Sequence, residues 1–311
     1  MLTVLVTGGA GYIGSVLVSE LLNKRYKVIV IDNFCYKQTS LSHLVRDKNL
    51  EIIFADVRDQ SLVLEFLKKA DVIIPLAAIV GAPACAKDPI TATSINKTST
   101  SWLVNQISKS QQILMPTTNS AYGIGSNLNY CDESSPLNPL SLYAKDKVFI
   151  EELLMEKENA TSFRLATVFG ISPRMRLDLL VNNFVYRALT DSFLTLFEGH
   201  FKRNYVHVSD VVKVFMFGIE NPDLVRNQIF NFGLSEANIS KIELCEKIKR
   251  FIPKFVFQED EFAKDPDQRN YIVSNKKIEA IGMNAKVTLD EGISELINGL
   301  GMFTSHPYTN L

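Results

Sequence analysis

The segment Thr7-Gly8-Gly9-Ala10-Gly11-Tyr12-Ile13-Gly14 sits between an apolar strand-like run, Leu2 to Val6, and a helix-like stretch, Ile13 to Lys24. Glycines at that junction permit a tight turn and let the backbone approach an anion at the helix N-terminus, which suits a pyrophosphate. The second strand-like run, Lys27 to Ile31, ends at Asp32, followed by Asn33. A carboxylate about 20 residues beyond the glycines can accept hydrogen bonds from both hydroxyls of an adenosine ribose and would repel a 2′-phosphate. The pattern therefore predicts NAD rather than NADP, with Gly8, Gly11, Tyr12, Ile13, Gly14, Asp32 and Asn33 as candidate contacts.

The alternation continues. A weaker helix precedes the strand Glu51 to Phe54, and then come Ser61 to Lys69 (helix), Asp71 to Ile74 (strand), Thr93 to Ser110 (helix), Gln112 to Pro116 (strand), Ser141 to Glu158 (helix) and Ser162 to Ala166 (strand). This order predicts an α/β fold, a Rossmann-type doubly wound parallel sheet. After Gly170 the pattern lengthens around Pro173, Pro222, Pro253 and Pro266, with helices expected at Leu179 to Thr190, Ser209 to Ile219, Lys241 to Phe251 and Leu289 to Asn298. The reading is a Rossmann domain over 1–166 that also receives 205–233, a smaller α/β substrate-binding subdomain from 167–204 and 234–303, and a flexible tail over 304–311. Asp56-Val57 follows the third strand, and Leu76-Ala77-Ala78 follows the fourth, with small side chains where a flat cofactor must pass.

Lys and Arg number 33 against 34 Asp and Glu, for a formal charge of −1. No global field then recruits nucleic acid or an anionic membrane, and any anion site must be built locally. Cys35, Cys85, Cys131 and Cys245 form no C-x-x-C pair, which suits reduced thiols used for packing. No apolar run is long enough for a bilayer, and the first strand starts at Leu2, so a soluble cytoplasmic protein is expected. His43, His200, His207 and His306 have no partner spacing for a metal or triad, and no metal is expected.

Tyr143-Ala144-Lys145-Asp146-Lys147 falls in an expected helix, where residues four apart project from one face. Lowering a phenol pKa from about 10 to about 7 takes roughly 4 kcal/mol, which a nearby ammonium and a cationic nicotinamide can supply, so Tyr143 can serve as a base. The helix follows a strand ending in Thr117-Thr118-Asn119-Ser120-Ala121-Tyr122-Gly123. With the glycine turn, Asp32, Asp56 and the spacing from Asp88-Pro89 to Asn96, these motifs resemble the extended short-chain dehydrogenases, the nucleotide-sugar epimerase/dehydratase superfamily, over nearly the whole chain.

The resemblance implies that Tyr143 removes a sugar hydroxyl proton, Thr118 hydrogen-bonds that oxygen and Lys147 holds the nicotinamide ribose, with Asn96 near the cofactor. Sugar 4,6-dehydratases of the family carry Thr-Asp-Glu where this chain has Thr118-Asn119-Ser120, so the acid and base for water elimination are missing. The family comparison puts Arg203 and Arg269 on a nucleotide-sugar pyrophosphate, where guanidinium forks suit paired oxygens. The stretch from Ala166 to Arg176, with Val181-Asn182, Asn119-Ser120, Tyr122-Gly123-Ile124-Gly125 and Pro75 to Pro83, resembles a narrower subgroup, the GDP-heptose 4-dehydrogenases. That implies substrate contacts from Ser120, Arg176 and Asn182, and oxidation of the C4 hydroxyl of GDP-D-glycero-α-D-manno-heptose. A nucleotide-sugar 4-epimerase and a non-catalytic cofactor-sensing protein are the alternatives. The family often pairs helices across a two-fold axis, so a homodimer or higher homo-oligomer is expected, with Trp102 at that face or in the core.

Overall fold

The computed structural model describes residues 1–124, 130–260 and 269–303. The expected tail over 304–311, together with Gly125 and Pro266, lies outside the described residues. The strands of the first half are β1 (Thr3–Thr7), β2 (Lys27–Asp32), β3 (Leu50–Phe54), β4 (Val72–Pro75), β5 (Gln112–Thr118) and β6 (Ala160–Leu165). The remaining strands are β7 (Thr167–Phe169), β8 (Phe193–Phe197), β9 (Lys202–His207), β10 (Gln228–Phe232), β11 (Asn238–Ser240) and β12 (Val256–Asp260). Helices in the first half are α1 (Tyr12–Asn23), α2 (Gln60–Leu67), α3 (Ala82–Lys87), α4 (Pro89–Thr93), α5 (Thr100–Gln106) and α6 (Leu142–Met155). The second half adds α7 (Leu180–Thr190), α8 (Val208–Glu220), α9 (Pro222–Val225), α10 (Lys241–Phe251), α11 (Lys276–Ala280) and α12 (Leu289–Gly299).

Seven strands form one sheet in the order β10-β6-β5-β4-β1-β2-β3, every pair parallel. This is a Rossmann-type doubly wound α/β sheet. The order reverses between β1 and β4, and in such sheets ligands bind outside the C-terminal strand edge at that reversal. The strands read as unbroken apolar runs because helices cover both faces. Val4, Val6, Val28 and Val30 point to one core, shared with Leu17 and Leu21 of α1 and with Val211 and Phe215 of α8. Leu5, Ile29 and Ile31 point to the other, with Val63 of α2, Leu103 of α5 and Ile150 of α6. A separate core joins α7, α10 and α12 through Val181, Leu244 and Ile293. It carries the small sheets β11-β9-β7 and β12-β8.

After β6 the chain runs through β7, α7, β8, β9 and α8 and then adds β10 beside β6. The short strands β7 to β12 were not legible as separate runs. The helix expected over Thr93 to Ser110 is instead a broken one. It begins at Pro89, where Asp88 accepts from the Thr91 N–H at 3.0 Å, passes through a π-helical segment at Ser94–Ser99 and ends at Gln106. Hydroxyls explain the break: Ser99 and Thr100 both bond back to the Ile95 carbonyl, at 2.7 and 3.2 Å. The weak helix before β3 is only a 3-10 turn at Ser42–Leu44. Cys85, Cys131 and Cys245 are buried as packing residues, whereas Cys35 is exposed. Trp102 packs partly buried against the core between the sheet and α5. Among the described residues, no helix is long and apolar enough to cross a membrane.

Candidate active site

The cleft opens where the sheet order reverses, above β1, β4 and β5. Gly8 has φ +70°, and a Cβ there would lie 2.6 Å from the Ala77 nitrogen; at Gly14 it would lie 2.5 Å from the Gly8 carbonyl. The turn thus packs backbone on backbone against the segment after β4, leaving Leu76 and Ala78 to line the cleft. Gly11 caps α1 with no side chain on its first N–H groups, which suits an anion there.

Asp32 closes the far end. Its Oδ2 accepts from the Ala10 N–H at 3.0 Å, and its Oδ1 accepts from the Phe34 N–H at 2.8 Å and from Gln38 at 3.2 Å. Burial raises its pKa while those bonds pull it down. Asn33 donates to Asp56 at 3.2 Å, and Arg58 grips the same carboxylate twice at 2.8 Å, holding the Asp56 pKa down at about 2. Asn33, Asp56, Val57 and Ala77 share the wall with Asp32. Asn96 stands behind it: its amide clamps the N–H and carbonyl of Ile79 at 2.9 and 2.8 Å, which shapes the segment after β4 without lining the cleft. Replacing Asp32 with Ala is expected to weaken NAD binding by about tenfold or more and to narrow the preference over NADP. Titration with both dinucleotides checks this, and tighter binding of NADP by the unmodified protein would refute it.

Thr118, Tyr143 and Lys147 line the other end together. Thr118 terminates β5 and donates to Ser120 Oγ at 2.9 Å. Ser141 caps α6 by accepting from the Ala144 N–H at 3.2 Å, which fixes the helix start one residue before Tyr143. Lys147 donates to the Pro116 carbonyl at 3.0 Å, and its ammonium lies 5.9 Å from the Tyr143 ring centre. Burial pushes the Lys147 pKa down to about 8, partly opposed by Asp146 and Cys85. The Tyr143 phenol goes the other way, up to about 12, because burial outweighs the pull of Arg176 and Arg269. The protein alone therefore keeps Tyr143 protonated at neutral pH.

The cations are built locally, as the near-neutral net charge requires. Arg176 lines the cleft and pairs with Asp178. Arg269 donates to Ser120 Oγ. Asn182 is fully buried, accepting from the Gly170 N–H at 3.0 Å and donating to the Arg176 carbonyl at 2.9 Å. Arg203, also buried, donates to the Lys202 carbonyl at 3.2 Å on β9. Neither of these two lines the cleft. Tyr12 uses its hydroxyl on the Gly170 carbonyl at 2.7 Å, tying the smaller unit to the glycine turn. Tyr36, Arg174 and Tyr271 line the cleft and were not singled out from sequence as site residues, because each comes from a loop whose position depends on distant packing. Among the described residues, no cluster of His, Cys, Asp and Glu could hold a metal ion.

The model of the NAD dependent epimerase/dehydratase family matches residues 4–233, and the chain belongs to that family. A putative UDP-glucose 4-epimerase from Methanocaldococcus jannaschii is 28% identical over 95% of this chain and 97% of that protein. UDP-glucuronic acid decarboxylase 1 from Arabidopsis thaliana is 28% identical over 96% of this chain and 69% of that protein. A crystal structure of UDP-glucuronic acid 4-epimerase from Bacillus cereus, in complex with UDP-glucuronic acid and NAD, shares the fold with a TM-score of 0.86 at 23% identity, covering 97% of this chain and all of that one. The chain is thus an NAD-dependent enzyme of the extended short-chain dehydrogenase type. These relatives are named for UDP-sugars rather than for GDP-heptose.

Proposed function

We propose that this member of the NAD dependent epimerase/dehydratase family oxidises the C4 hydroxyl of a nucleotide-sugar, with GDP-D-glycero-α-D-manno-heptose as the substrate. The observation that carries the reading is the wall holding Thr118, Tyr143 and Lys147 with only an amide and a hydroxyl at the next two positions of the strand end. NAD, when bound, would supply the acceptor for the C4 hydride and a positive charge that favours the phenolate. Tyr143 takes the hydroxyl proton through its phenolic oxygen, and Thr118 turns its hydroxyl from Ser120 to that sugar oxygen. Lys147, fixed by the Pro116 carbonyl, directs its remaining protons to the nicotinamide ribose and favours the phenolate electrostatically.

Arg176, Arg269 and Ser120 meet the substrate, the guanidinium forks suiting the diphosphate. Asn182 and Arg203 support that wall. Asn182 holds the Arg176 carbonyl, and β9 beside Arg203 bonds to Asn270, next to Arg269. A homodimer or higher oligomer belongs to the same proposal. The second reading, a nucleotide-sugar 4-epimerase, draws on the Methanocaldococcus relative, which matches nearly end to end. It needs the same three residues and differs in keeping the keto sugar until it turns over.

Purified protein incubated with GDP-, UDP-, CDP- and dTDP-sugars, GDP-heptose included, separates these outcomes by liquid chromatography coupled to mass spectrometry, with proton NMR of the C4 position for products of unchanged mass. A product lighter by two hydrogens from GDP-heptose is the expected result. An isomer of unchanged mass from any of them establishes the epimerase instead. A product lighter by one water would refute the reading of positions 119 and 120, since Asn119 and Ser120 offer no acid and base pair for elimination.

A further inference from the structure

Two loops flank the glycine turn, and each is pinned to it. After β2, Ser40 donates to the Ala10 carbonyl at 2.7 Å. From the smaller unit, Ser172 donates to the Tyr12 carbonyl at 2.6 Å and meets Ser15 Oγ at 3.1 Å, both on the first turn of α1. Two residues beyond Ser172, Arg174 is 5% exposed. Its guanidinium carbon lies 4.4 Å from the ring centre of Tyr36, on the loop after β2. Tyr36 lines both the large cleft and the adenosine-side recess around Asp32, so it stands at their boundary. Gly8 and Gly11 line both as well. The Arg174–Tyr36 contact therefore crosses the groove beside the α1 N-terminus, where a dinucleotide pyrophosphate is expected.

We propose that Arg174 and Tyr36 form a latch over the dinucleotide, in which Arg174 holds the pyrophosphate and Tyr36 holds Arg174, so that the pair sets how long the cofactor stays bound. This rests on the reading of the cleft as an NAD site. The chemistry is suited to the place. The glycine turn offers only backbone N–H groups and a helix dipole to two phosphate charges, and a buried guanidinium adds full charge with forked geometry. Stacking on an aromatic face orients the guanidinium without neutralising it. The two loops belong to different units of the fold, so breaking this contact opens the groove without touching Thr118, Tyr143 or Lys147.

The test is NAD release. Protein loaded with NAD is gel-filtered, and the nucleotide that remains is measured after denaturation over time, with GDP binding followed in parallel. Arg174→Met is expected to speed NAD loss by about tenfold or more, Arg174→Lys less, and Tyr36→Leu several-fold. Arg174→Met with Tyr36→Leu should be no faster than Arg174→Met alone, because the two act as one device. Affinity for GDP should stay within about twofold. Unchanged NAD retention in folded Arg174→Met overturns the proposal, as does a loss of GDP binding with NAD retention intact. If Arg174→Met does not fold, the half-exposed Tyr36→Leu decides alone, and unchanged retention there overturns the latch. Failure of the unmodified protein to bind NAD would instead refute the cofactor reading itself.

Discussion

Tyr143→Phe is expected to lower kcat by about 10²- to 10⁴-fold while nucleotide-sugar affinity changes little, because the lost hydroxyl acts in the proton-transfer step. The size follows from its setting. Burial holds the phenol up at about 12, with Arg176 and Arg269 pulling it down only in part. Oxidation needs the phenolate, so the rate in that direction should rise with pH until Tyr143 is ionised in the loaded enzyme. The Phe variant should lose that rising limb as well as the rate. Single-turnover measurements between about pH 6 and 10, with substrate affinity taken separately by calorimetry, check both effects. Turnover that survives in the Phe variant with its pH limb intact removes Tyr143 from the role of base. Unchanged turnover of any kind would revive the alternative of a non-catalytic cofactor-sensing protein.

Features written in consecutive residues were legible before the structure. The glycine turn, Asp32 at the end of β2, and Tyr143 with Lys147 one turn apart all depend on local periodicity, and local periodicity sets their directions. The parallel sheet followed from the same alternation. What stayed hidden depends on long-range packing. Lys202-Arg203-Asn204 forms part of β9 with Arg203 and Asn204 buried, a placement no local pattern of the sequence announces. The family resemblance puts Asn96 near the cofactor. Its amide bonds the N–H and carbonyl of Ile79, seventeen residues earlier, from the π-helical segment Ser94–Ser99. Arg174 gave no local sign of its stacking partner, since Tyr36 comes from the opposite side of the glycine turn.

The catalytic helix has a second fastening that the sequence motif does not mention. Two turns beyond Tyr143 and one beyond Lys147, Glu151 accepts from Thr117 Oγ1 at 3.0 Å, Ser162 Oγ at 2.6 Å and Arg164 at 2.6 and 3.0 Å. Both charged side chains are 4% exposed. Arg164 also donates to Tyr122 at 2.9 Å, so one network links α6, the end of β5, β6 and the segment that carries Ser120. Arg164→Met should destabilise the protein by about 3–5 kcal/mol, because it leaves the Glu151 carboxylate buried with only two hydroxyls as partners. Arg164→Met combined with Glu151→Leu should recover much of that loss, since an apolar pair of similar volume carries no desolvated charge. Urea denaturation of the two single variants and the double variant gives the coupling directly. A double variant as unstable as the sum of the singles would mean that packing, not the ion pair, sets the cost. A recovered double variant would show that α6 holds Tyr143 and Lys147 on a buried charge pair whose worth lies in geometry more than in net stability.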